Sequence, residues 1–88
     1  MSVRVWKMDD CDWVAAETLD EAIKEWESHV GLSAAEESLD PHLMSWKEMD
    51  AHTFHDPETG TTRSFSAELR NRVRRGEKFP QFFASTEF

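Results

Sequence analysis

Leu19, Ala22, Ile23, Trp26 and Val30 fall at i, i+3, i+4, i+7 and i+11. That spacing lies on one face of a helix and on no face of a strand, so the segment must bury an apolar stripe against other elements. Thr18-Leu19-Asp20-Glu21 opens it as a capping box, in which the threonine hydroxyl accepts an orphan backbone N–H and Glu21 reaches back to the cap. Gly31 closes it, because glycine tolerates the positive φ at which helices commonly end.

The flanking segments say what the stripe packs on. Val3-Arg4-Val5-Trp6-Lys7-Met8 has the β-branched and aromatic content of a strand. Asp9-Asp10-Cys11-Asp12 is a turn, with short carboxylates able to bond nearby N–H groups, and Trp13-Val14-Ala15-Ala16 is the return strand. Both strands carry apolar residues on both faces, which places the hairpin inside a sheet. Ser33-Ala34-Ala35-Glu36 is a second capping box for a very short helix, ended by Asp40-Pro41. Ser45-Trp46-Lys47-Glu48 is a third and opens a helical turn through Asp50. His52-Thr53-Phe54-His55 and Thr61-Thr62-Arg63 read as strands around the turn Asp56-Pro57-Glu58-Thr59-Gly60. Ser64 caps a helix over residues 65–75 with Phe65, Leu69, the Arg72 stem and Val73 inward, and Gly76 stops it. Gln81-Phe82-Phe83-Ala84-Ser85-Thr86 is a final strand.

The order ββα, short helix, ββα, β predicts an α+β fold: one mainly antiparallel sheet of four to five strands, helices packed on one face, and the last strand beside the first hairpin. With 88 residues the chain is expected to form one domain over 1–88. Four tryptophans and six phenylalanines against three glycines and three prolines argue against disorder. No apolar run approaches the roughly 18 residues of a membrane span. The first residues hold no apolar signal region, and Cys11 is alone, so a reducing, cytoplasmic setting is expected.

Charge separates function classes. The net charge is −8, and residues 1–60 hold 15 acids against four bases. A field of that sign opposes the phosphate neutralisation on which nucleic-acid binding rests and draws in basic partners; the plain alternative is that it keeps a small chain soluble. Asp20, Glu21, Glu25, Glu27, Glu36 and Glu37 are the candidate partner-facing carboxylates. Trp46 is the tryptophan expected to be exposed, and an exposed tryptophan makes a partner anchor. The expected partner is a protein with a basic surface, with self-association left open. The alternative is a nucleic-acid or nucleotide-binding module gripping phosphate through Arg70, Arg74 and Arg75; against it, cations near a helix C-terminus serve the dipole and pair with acids.

Catalytic and metal chemistry find no constellation. His52 and His55, three apart on a strand, point to opposite faces, and Cys11 has no CxxC partner, so no metal is expected. Cys11 lies among Asp9, Asp10 and Asp12, whose charges make a poor thiolate nucleophile. There is no GxSxG and no glycine-rich phosphate loop. The reading is non-enzymatic, with no cofactor.

Asp10-Cys11-Asp12-Trp13-Val14-Ala15-Ala16, the acidic helix ending at Gly31, and Phe79-Pro80-Gln81-Phe82-Phe83-Ala84-Ser85-Thr86 resemble small acidic proteins encoded by bacteriophages and prophages. The resemblance implies an accessory factor that binds host machinery, including inhibitors of bacterial defence of the anti-CRISPR type that block nucleic-acid channels.

Overall fold

A computed structural model describes residues 2–85. The fold is α+β, and the chain divides into two compact units, residues 1–43 with 78–88, and residues 44–77.

The first unit is a four-stranded sheet with one helix on it. Strands β1 (Arg4–Lys7) and β2 (Asp12–Ala16) form the expected hairpin, pairing Val5 with Ala15 and Trp6 with Val14. The turn between them is held by Asp9, whose Oδ1 accepts from the backbone N–H of Cys11 at 2.8 Å and of Asp12 at 2.7 Å. Helix α1 (Leu19–Val30) follows; Thr18 Oγ1 accepts from Glu21 N, and Gly31 ends the helix at φ 76°. Residues 34–38 form turns rather than the short helix expected there, and a two-residue strand, β3 (His42–Leu43), then pairs with β1. Strand β6 (Gln81–Ser85) closes the sheet, antiparallel to β2, in the order β3-β1-β2-β6. The hairpin is therefore interior, and the last strand lies beside it as expected; Thr86 lies outside the described residues.

Between β2 and β6 the register shifts after Trp13, so that Phe82 faces Val14 while Ser85 faces Asp12. Residues three apart on a regular strand point to opposite faces; the extra residue of this bulge lets both meet α1's side of the sheet. There Met8, Val14, Ala16, Ala22, Trp26 and Ala34 form the core, with Trp6, Ile23, Val30, Leu39 and Phe82 packed around it. Asp12 is buried within it and satisfied twice, by Trp26 Nε1 at 3.3 Å and Ser85 Oγ at 2.9 Å. One carboxylate thus ties β2, α1 and β6 together, as a buried polar group requires.

The second unit is helical with a small hairpin. Helix α2 (Trp46–Ala51) begins with the full reciprocal box of Ser45 and Glu48. Strands β4 (Thr53–His55) and β5 (Thr62–Ser64) pair with each other in a sheet of their own instead of joining the larger one. Helix α3 (Phe65–Arg74) is capped by Ser64 Oγ, which accepts from Ala67 N at 3.1 Å, and its packed positions are Phe65, Ser66, Glu68 and Leu69. Val73, expected inward, is 51% exposed. Helix α2 spans about 9 Å and α3 about 15 Å, so a helix of six residues is too short to cover α3 along its whole length.

Candidate interaction surfaces

The first unit is acidic. It holds 12 acids against four bases, whereas the second unit holds six of each, so the whole net charge of −8 belongs to the first. Its carboxylates are set by local structure. Asp20 and Glu21 occupy the first turn of α1, where negative charge suits the helix dipole. Asp20 is exposed, while Glu21 and Glu25 are half-buried. Glu36 and Glu37 are exposed in the turn that Ser33 organises: its Oγ accepts from Glu36 N at 3.4 Å and its carbonyl from Glu37 N at 3.0 Å. Glu27 is engaged internally, because its Oε2 accepts from the N–H of Ala34 at 2.8 Å and fastens the chain after α1 back onto the helix. The structure therefore leaves Asp20, Glu36 and Glu37 exposed, half-buries Glu21 and Glu25, and puts Glu27 to another use.

The arginines of the second unit divide in two. Glu68, with its side chain only 5% exposed, receives Arg63 Nη1 at 2.8 Å and Arg72 Nε at 2.6 Å, and Arg75 Nη2 stands 3.8 Å away. Arg63 also reaches Asp56 at 3.4 Å, and both Arg63 and Arg72 lie over the ring of Phe54. Arg75 donates from Nε to Glu77 at 2.8 Å, and that hydrogen bond raises its already high pKa. Arg70 lies over the exposed ring of Trp46, 5.2 Å from its centroid, and Arg74 is exposed with no ion pair among the described residues. Of the three candidate phosphate ligands, Arg75 is matched by carboxylates while Arg70 and Arg74 are not. The hub at Glu68 escaped the sequence reading. Its i,i+4 spacing to Arg72 was a visible signal, but Arg63 comes from the neighbouring strand.

Two of the four histidines make ring contacts. His29 stacks on Phe82 with centroids 4.0 Å apart, and His52 tilts over Phe65 with Nδ1 2.8 Å from the Glu48 carbonyl. Among the described residues no group of three or more His, Cys, Asp or Glu is placed to hold a metal ion. Ser66 donates to Asp50 and lies 3.0 Å from Ser64 Oγ, but its hydroxyl is buried, which suits a structural bond rather than attack on a substrate. No helix among the described residues is long and apolar enough to cross a membrane. No family model, curated protein or solved structure matches the chain.

Proposed function

We propose that the protein is a non-enzymatic binding module whose acidic unit docks on a basic protein surface of the kind that binds nucleic acid. The observation that carries this reading is the partition of charge: one unit holds the full −8, and Asp20, Glu36 and Glu37 stand exposed on it. Carboxylates arranged in this way compete with phosphate for the same guanidinium and ammonium groups. The resemblance to acidic phage proteins narrows the partner to a nucleic-acid-binding complex of bacterial defence, with the module acting as its inhibitor in the host cytoplasm. The phosphate-binding alternative loses support from the pairing of Arg75 with Glu77 and its approach to Glu68.

The test starts with capture of the partner from host lysate and release of its nucleic acid by the added protein. Association rates are then followed across ionic strength for the natural chain and for the triple variant Asp20→Lys, Glu36→Lys, Glu37→Lys. The variant should fold normally, since exposed substitutions shift stability by about 0.5 kcal/mol or less, and should associate far more slowly at low salt. A rate indifferent to both salt and charge reversal would reduce the acidity to a solubility device.

A further inference from the structure

The second unit exposes two large apolar side chains, Trp46 at 41% and Val73 at 51%. Arg70 neighbours both. Arg70 lies over the Trp46 ring at 5.2 Å, and Val73 and Arg74 follow Arg70 at i+3 and i+4, the neighbouring positions on a helix face. The other arginines of this unit are matched: Arg63 and Arg72 by Glu68, Arg75 by Glu77. Arg70 and Arg74 have no carboxylate partner among the described residues. The patch therefore combines two cations that no acid of the unit neutralises with two apolar groups left outside the packed face of α3.

We propose that Trp46, Arg70, Val73 and Arg74 form a docking surface for a short acidic segment of a partner protein, one that carries a bulky apolar side chain between carboxylates. The apolar side chain covers Trp46 and Val73, as aromatic anchors at interfaces do. The two guanidiniums each offer a planar fork that a carboxylate meets with two hydrogen bonds. Charge complementarity favours a peptide of few charges over a nucleic acid, because a phosphate chain carries a charge at every nucleotide into the field of a molecule that is −8 overall. This surface is separate from the carboxylates of the first unit, and either proposal stands if the other fails.

The experiment uses the full chain and a short capped peptide of alternating glutamate and leucine. Trp46 is read through its indole N–H resonance, assigned with Trp46→Phe. The expected result is a saturable shift, with affinity at least about tenfold weaker in the variant Arg70→Ala, Arg74→Ala. Both arginines are exposed, and an unchanged circular dichroism spectrum certifies the variant's fold. A peptide with lysine in place of glutamate should leave the resonance unmoved. Absence of a saturable shift overturns the proposal, and so does equal binding of the lysine peptide. Tighter binding of oligothymidylate through the same residues overturns it in favour of phosphate recognition. A concentration-dependent shift without any peptide, abolished in the same variant, overturns it in favour of a second copy of the chain.

Discussion

Glu68 accepts from Arg63 and Arg72 at 2.8 and 2.6 Å in a nearly closed site, where the Arg72 side chain is itself only 11% exposed. Removing the charge takes the shared carboxylate from Arg72 in a poorly solvated place and leaves Arg63 with Asp56. Glu68→Gln should cost about 3 kcal/mol in urea unfolding, at the low end for a broken buried pair because Arg63 keeps some access to water. A loss below about 0.5 kcal/mol would mark the pairs as surface ornament. Asp56 makes a pH prediction. The backbone N–H of Glu58, donating to its Oδ1 at 2.9 Å, lowers its pKa from an ordinary value near 3.8, and Arg63 acts in the same direction. A carboxyl depressed on folding stabilises the native state above its ordinary pKa, and the gain disappears as pH falls through the lowered one. Thermal melts of Asp56→Asn should therefore lie below those of the natural chain at neutral pH and converge with them in acid. A gap that is constant with pH would contradict this. The turn around Asp56 was legible from Asp-Pro-Glu-Thr-Gly, since each of those residues has a local reason to be there. Glu68 was not, because half of its environment arrives from another element.

Elements with a strong period or a full cap were readable in advance. Helix α1 has the period and one half of the expected box, the bond Thr18 accepts from Glu21 N, and it ends at the left-handed Gly31; Trp26 lies in the core as its stripe predicts. Trp26→Ala should cost on the order of 3–5 kcal/mol, enough to unfold much of a small chain at ambient temperature, as chemical denaturation would show. Part of that loss is the bond from Trp26 Nε1 to buried Asp12. The variant Trp26→Phe, which keeps a ring but no donor, should therefore also destabilise. The hidden elements are those without a local code. Strand β3 has two exposed residues and exists only because Leu43 and His42 pair with Trp6 and Lys7. Residues 34–38 begin with a helical cap, but propagation beyond a first turn needs either length or an apolar face, and neither is present. Val73 follows Leu69 by one turn of α3, so periodicity placed it inside; the shortness of α2 decides otherwise, and a sequence pattern does not measure a partner's length.

For the whole molecule, charge is unevenly owned. The first unit carries −8 on its own, so like charges crowd one part of the chain while the other is neutral. Self-repulsion of this kind weakens the folded state and is screened by salt. Raising ionic strength from about 0.01 M to 0.15 M shortens the Debye length from about 30 to 8 Å and should raise Tm by about 2–4 °C, which is roughly 0.5 kcal/mol for a chain of this size. The triple variant at Asp20, Glu36 and Glu37 should show a smaller salt gain. An identical gain would mean that these three carboxylates do not feel one another's field.

The bond between Ser85 and Asp12 joins residues 73 positions apart, and the segment that forms the second unit is threaded between them. Strand β2, whose five residues are all buried in the finished sheet, depends for its outer neighbour β6 on a contact that closes a long loop. Residues 44–77 can close their own short-range pairings sooner, because neither their hairpin nor the packing of α2 on α3 waits for distant sequence. A chain refolding from denaturant therefore passes through an interval in which β2 still has an open apolar edge, and that is when it is most exposed to misassociation.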